Sequence, residues 1–193
     1  MKRLAVISRF NENLDWINEL KIPYLIYNKG ENNINFPFTS IPNNGRESET
    51  FLRYIIENYP NLPDEIAFIQ GNPFDHCNDI LSHLNSKNIT TYQIKNKVTF
   101  LMNKHLEKYY LECDINGGPH HSGLPIKETL NQIGIEHDDD LIFSQGAQYL
   151  VLKSCIISKP LEWWEQLYEF HNSDGLLPWV FERIWPLIYA YEI

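Results

Sequence analysis

A carboxylate and an imidazole stand side by side at Asp75-His76. They follow the apolar run Glu65-Ile66-Ala67-Phe68-Ile69-Gln70 and the polar break Gly71-Asn72-Pro73-Phe74. The run has the length of a buried strand, and Gly71 and Pro73 mark a tight loop after it. In an open α/β sheet, ligands bind beyond the carboxyl ends of the strands. A carboxylate placed there can hold a hard divalent cation against a phosphate. A neighbouring imidazole favours Mn2+ over Mg2+. Asp75 and His76 are therefore the candidate metal ligands. The pair also reads as the cap and first turn of a following helix, and Cys77 beside it reads as a small core residue.

Cations recur at element ends. Arg9 lies in Ser8-Arg9-Phe10-Asn11-Glu12, Lys29 in Asn28-Lys29-Gly30, and Arg46 at the start of an amphipathic stretch. On a parallel sheet these groups would converge on one edge, where helix N-terminal N–H groups also favour anions. Arg9, Asn11, Lys29, Arg46 and Gln70 are the candidate contacts to a nucleotide diphosphate; a solvated surface cation is the plain alternative for each Arg or Lys. Glu182 lies in Trp179-Val180-Phe181-Glu182-Arg183-Ile184-Trp185. A carboxylate among aromatic rings can have its pKa raised and serve as a general base. Pairing with Arg183 on a core helix is the alternative. His120-His121 sits in a Gly- and Pro-rich loop without a third ligand at zinc spacing. His137-Asp138-Asp139-Asp140 reads first as a solvated turn. There is no Gly-x-Ser-x-Gly elbow, P-loop or Gly-x-Gly-x-x-Gly, so hydrolase, P-loop and dinucleotide readings lose their usual support.

The elements that must position these groups follow from periodicity. Leu4–Ser8, Tyr24–Tyr27 and residues 66–70 read as strands, and Leu14, Ile17 and Leu20 suggest a helix over Asn11–Leu20. Residues 31–45 form a long loop. Asn44 with Glu47 three residues on predicts a capping box. Phe51, Leu52, Ile55, Ile56 and Tyr59 then make one helix face, stopped by Pro60 and Pro63. Asp79–Leu84 predicts a short helix. Residues 88–125 are ambiguous, with a helix over Val98–Tyr110 as one reading. Ile126–Ile133 is helical, and Leu141–Ser144 and Tyr149–Leu152 are strands flanking Gly146. Pro160 and Pro178 suit the starts of two more helices, and Pro186 should kink or end the last one. Strand–helix alternation predicts an α/β fold with a mostly parallel central sheet flanked by helices. A chain of 193 residues suits one domain. Its nucleotide-binding half would span about 1–90 and its acceptor half about 91–193.

The net charge of −9 argues against a broad nucleic-acid face. Three scattered cysteines form no disulfide framework, which points to a reducing cytoplasm. The N-terminal apolar run is too short for a signal peptide, and no stretch reaches the length of a membrane span.

Several blocks together resemble a known family. They are Val6–Trp16, Ile26–Gly30, Asn44–Glu47, Phe68–His76, Gly146–Tyr149 and Pro178–Trp185. The family is a group of small GT-A-like proteins long catalogued as of unknown function. It is similar to the N-terminal glycosyltransferase domain of a large chlorovirus enzyme. The resemblance implies a GT-A-like, Rossmann-like fold and transfer of a sugar from a nucleotide-diphosphate sugar to an acceptor hydroxyl, in glycan or surface polysaccharide synthesis. It implies Mn2+ or Mg2+ at an Asp-x-Asp, but Asn72-Pro73-Phe74-Asp75 supplies one carboxylate, so metal independence stays open. Glu182 matches the base of inverting members, and Gly146, Ala147, Gln148 and Trp179 would line the sugar or acceptor pocket. A non-catalytic nucleotide- or carbohydrate-binding module and, more distantly, a nucleotidyltransferase are the competing readings.

Overall fold

The structure, a computed structural model, describes residues 1–190. Its strands are β1 (Arg3–Arg9), β2 (Tyr24–Asn28), β3 (Thr39–Ser40), β4 (Glu65–Gln70), β5 (Gln93–Ile94), β6 (Val98–Phe100), β7 (Leu111–Cys113), β8 (Leu141–Phe143) and β9 (Tyr149–Leu152). Its α-helices are α1 (Arg46–Asn58), α2 (Ile80–Asn85), α3 (Ile126–Gln132), α4 (Lys153–Ile157), α5 (Leu161–His171) and α6 (Leu177–Ala190). Seven strands form the central sheet, in the order β3-β2-β1-β4-β9-β6-β5. β1 to β4 are mutually parallel, β9 runs against β4 and β6, and β5 runs against β6. Five of the seven strands thus point one way, and the mostly parallel, Rossmann-like α/β sheet expected from the sequence is the architecture found. β7 and β8 pair separately. Among the described residues, no helix is long and apolar enough to cross a membrane.

Strand alternation explains why the central runs are apolar throughout. Val6, Ile66 and Phe68 face the thick layer of α1, α5 and α6, packing with Phe51, Trp185 and Tyr189. Ala5, Ile7, Ala67 and Ile69 face a thinner layer with Leu14, Ile17, Ile80 and Leu84. Both faces are buried, so apolar residues fill the middle of each strand on both sides. The chain steps outward from β1 to β2 and β3, then returns across β1 to β4. That reversal is the topological switch point, and the carboxyl ends of β1 and β4 flank it.

Several local expectations fail. Asn11–Leu20 forms only a 3-10 turn at Asp15–Glu19, because the Asn13 side chain takes the Asp15 N–H into an Asx turn. The expected capping box is absent: Gly45 occupies the N-cap position of α1 without a side-chain cap. Val98–Tyr110 is not helical. Its β-branched and aromatic start becomes β6 beside β9, and Leu106 and Glu107 take positive φ. α6 continues past Pro186. Proline has no N–H for the carbonyl four residues back, which is that of Glu182. The Tyr149 hydroxyl donates weakly to that oxygen at 3.5 Å, while accepting from the buried Ser144 N–H at 2.7 Å. Tyr149 thus joins α6 to the turn between β8 and β9. Tyr149→Phe strands both backbone groups and is expected to cost about 1–3 kcal/mol. A urea midpoint unchanged from wild type would remove that role.

Candidate functional site

Two recesses at the carboxyl ends of β1, β2 and β4 gather many of the groups that the sequence singled out. The first, about 480 Å³, is rich in asparagine and lined by Arg9, Asn11, Asn33 and their neighbours. The Arg9 guanidinium is almost wholly engaged there. It donates to the Glu12, Phe10 and Glu31 carbonyls and to the Asn28 and Asn33 side chains. Arg9 therefore ties the loops after β1 and β2 into one wall. Asn11 adds to it by accepting the Glu31 N–H at 2.9 Å.

The second recess is a groove with two lobes. One, about 280 Å³, is lined by Arg46, Glu47, Gln70, Gln145, Trp179, Glu182 and Arg183, among others. The other, about 310 Å³, holds Asp75, Asn103 and His105. His76, Leu111, His120 and Gln145 line both lobes. Arg46, Gln70, His76, Trp179 and Glu182, scattered through the sequence, therefore meet in this groove. A concavity of about 960 Å³ lies instead at the amino ends of the strands, around Arg3, Tyr54 and Leu62. It is larger, but its Arg3 is spent on Glu65 and on the His83, Leu84 and Ser86 carbonyls.

Each wall has a local cause. Lys29, at the end of β2, is buried and forms an ion pair with Glu49 at 2.9 Å. Its ammonium also donates to the Arg46 carbonyl. Arg46 is thereby held in the left-handed region, at φ 52°, a conformation that costs a non-glycine residue about 1–2 kcal/mol. Backbone strain of this kind concentrates at functional sites. The half-exposed Arg46 guanidinium lies over the Trp179 ring, 4.1 Å from its centroid. Burial pulls the Lys29 ammonium below its usual range more than Glu49 lifts it. Burial pushes the Glu49 carboxyl up, but Lys29 and Arg53 together bring it below the usual range. The asymmetry follows from the count: Glu49 has two close cations, and Lys29 has one close anion.

The opposite wall is α6 with the turn before β9. Glu182 is fixed through both oxygens: Oε1 accepts the Gly146 N–H at 2.6 Å and Oε2 accepts from Arg183 at 2.8 Å. Gly146 has φ 72°, and a Cβ there would lie 2.5 Å from the His76 ring and 2.9 Å from the Gln70 side-chain nitrogen. Only glycine lets this peptide pass between β4 and α6. Ala147 and Gln148 lie beneath the groove, fully buried. Gln148 braces the Pro73 and Leu101 carbonyls, and Gln145 is the residue of this turn that lines the groove. His121 packs on Trp179 at 5.4 Å, and His120 packs on Phe143 at 5.6 Å.

Sequence reasoning passed over Glu47. Burial pushes its carboxyl up to about 7, and the Glu182 charge adds to this against its own N–H, Arg46 and Lys29. Two carboxylates thus share one groove with two guanidinium groups and an indole. Asp75 is exposed and His76 half-buried, and the His76 Nδ1 has no hydrogen-bond partner. Among the described residues these two join no three-ligand set. Asp138 pairs with Lys127 at 2.7 Å, so the acidic run is held as a surface turn.

A family model described as "Protein of unknown function (DUF3431)" matches residues 4–193. The chain belongs to that family. No curated protein and no solved structure matches the chain. The family match covers every residue of the groove.

Two stability measurements test this description. Folded Glu47 keeps its proton to about pH 7, against 4.5 for the free side chain. The native state therefore binds more protons across that window, and stability falls as pH rises through it. Glu47→Gln is expected to gain on wild type by up to about 3 kcal/mol between the two ends of the window. Denaturation at both ends checks this, and a difference that does not widen with pH would contradict it. Lys29→Met leaves Glu49 buried beside Arg53 alone and is expected to cost about 3–5 kcal/mol. A loss under about 1 kcal/mol, the worth of an exposed pair, would mean that the ion pair is not sealed from water.

Proposed function

We propose that the chain is a glycosyltransferase that moves a sugar from a nucleotide-diphosphate sugar to an acceptor hydroxyl. One observation carries this reading. Glu47, Glu182, Arg46, Arg183 and Trp179 line one groove at the carboxyl ends of the parallel strands. Guanidinium groups suit a diphosphate, an aromatic face suits a sugar ring, and a carboxylate near pH 7 suits proton removal from a hydroxyl. The resemblance to GT-A proteins supports the same reading, and the Asn-rich recess beside Arg9 offers room for the nucleoside.

In the step, the acceptor oxygen attacks the anomeric carbon. The bond from that carbon to the diphosphate breaks, and the nucleoside diphosphate leaves. The acceptor proton passes to a carboxylate of the groove. Both Glu182 oxygens already accept hydrogen bonds, so Glu47 is the better-matched acceptor of the proton. Glu182 then orients the incoming hydroxyl, and its charge helps to keep Glu47 near 7. Asp75 and the unpartnered His76 Nδ1 fit a cation that takes its remaining ligands from phosphate and water. Mn2+ or Mg2+ held by these two residues would neutralise charge on the diphosphate.

Glu47→Gln is expected to lower transfer by about 10²–10⁴-fold and to remove a rise in rate through pH 7. Glu182→Gln is expected to move that rise to lower pH. Both variants should keep the thermal shift given by the donor. Normal transfer by Glu47→Gln would return the base role to Glu182, and normal transfer by both would remove the mechanism.

A binding module without turnover is favoured by one feature: Arg9 and Lys29 are spent on the protein itself. A panel of nucleoside diphosphates and their sugars, each with Mn2+, Mg2+ or chelator, separates the two readings. A thermal shift with release of nucleoside diphosphate supports the enzyme. A shift without release supports the module, and release of pyrophosphate from a nucleoside triphosphate would make the chain a nucleotidyltransferase.

A further inference from the structure

Just after the turn that carries Asp75 and His76, three potential ligands converge where nothing in the proposed reaction uses them. Cys77 follows the 3-10 turn Pro73–Asp75, Asp79 precedes α2, and His83 lies one helical turn further on. One ligand atom from each residue lies within 4.8 Å of the other two. The Cys77 Sγ is 3.4 Å from Asp79 Oδ1, and the His83 Nε2 is 3.1 Å from Asp79 Oδ2.

These separations are near those of a coordination polyhedron, with the thiol and the imidazole approaching different oxygens of Asp79. Zinc bonds of about 2.0–2.3 Å to N, O and S at tetrahedral angles place neighbouring ligand atoms roughly 3.3–3.6 Å apart. The segment is already ordered: the Cys77 N–H donates to the Pro73 carbonyl at 2.9 Å, and the Ile80 N–H donates to the Cys77 carbonyl at 3.2 Å. A separate observation points to a ligand. The His83 side chain is 8 % exposed, yet its Nε2 has no hydrogen-bond partner. Its approach to Asp79 is close but lacks the alignment of a hydrogen bond. A buried imidazole nitrogen beside a thiol and a carboxylate, without a hydrogen bond of its own, is suited to coordination.

We infer that Cys77, Asp79 and His83 bind a borderline-soft divalent cation, zinc first among them. The mixed S, O and N donor set disfavours Mg2+ and Ca2+, which take oxygen. Cys77 binds as thiolate, so uptake releases its proton to solvent. The Asp79 side chain is 56 % exposed, so it marks the entry side and leaves an outward position for water. Bound metal would fasten the start of α2 to the loop that carries Asp75 and His76. The inference is independent of the transfer reaction and survives its failure.

The test is Co2+ and Zn2+ binding to the full chain. Co2+ is expected to give one equivalent of tetrahedral-type visible absorption, with a thiolate-to-metal charge-transfer band in the near ultraviolet. Cys77→Ser should abolish the ultraviolet band. Asp79→Asn, at an exposed position that keeps the fold, should weaken zinc binding at least tenfold, as should His83→Gln. His120→Gln should leave the band intact, which separates this site from the groove histidines. Absence of the band in wild type, its persistence in Cys77→Ser, or unchanged zinc affinity in Asp79→Asn would overturn the assignment.

Discussion

The groove depends on one buried ion pair. Lys29 lies where β2 ends, and its ammonium is cut off from water. An ammonium in that position needs a carboxylate, and Glu49 supplies it from the first turns of α1. Glu49 also accepts from Arg53 and the Tyr168 hydroxyl, so the same carboxylate fastens α5. The remaining donor capacity of Lys29 goes to the Arg46 carbonyl. The start of α1 is thus drawn against the end of β2, and Arg46 and Glu47 are delivered to the groove. A pair of this kind adds little net stability compared with a well-packed apolar pair. Its value here is positional.

The facing wall is held by different means. Pro186 releases the Glu182 carbonyl from the helix ladder, and Tyr149 partly compensates. The Glu182 carboxylate is meanwhile held by the Gly146 N–H and Arg183. Main chain and side chain of one residue are therefore both anchored to the region around the β8–β9 turn. That arrangement requires β9 to run against β4, since only then does the turn before it reach the carboxyl end of the sheet.

The first half of the chain was largely legible in the sequence. Ala5, Ile7, Ala67 and Ile69 belong to short apolar runs ended by polar loops, and those runs became β1 and β4. The Asn11–Leu20 expectation failed because three apolar residues at helical spacing could not outweigh Asn13 capturing a backbone N–H. Val98–Tyr110 failed because pairing with β9 is a contact with residues about fifty positions away. Of the residues singled out by type, Arg46, Gln70, His76, Trp179 and Glu182 come to line one groove. Sequence reasoning missed Glu47, whose carboxyl is distinguished only by burial and by Glu182, and of the turn it singled out, Gln145 lines the groove while Ala147 and Gln148 lie beneath it. The cluster of Cys77, Asp79 and His83 was passed over: the expected helix over Asp79–Leu84 already put Asp79 and His83 one turn apart, and only the approach of Cys77 needed the folded turn before α2.

The Gly146 contact has a consequence for how the groove could change over time. A side-chain donor to Glu182 could be lost or replaced by one substitution, whereas a main-chain donor can only be moved by rerouting the loop. The route depends on the absence of a single methyl group between His76 and Gln70. The surrounding side chains can therefore diverge and retune what the groove accepts, while its central anion stays in place. Variation in ligand preference would be inexpensive on such a scaffold, and variation in the position of the anion would require a different loop.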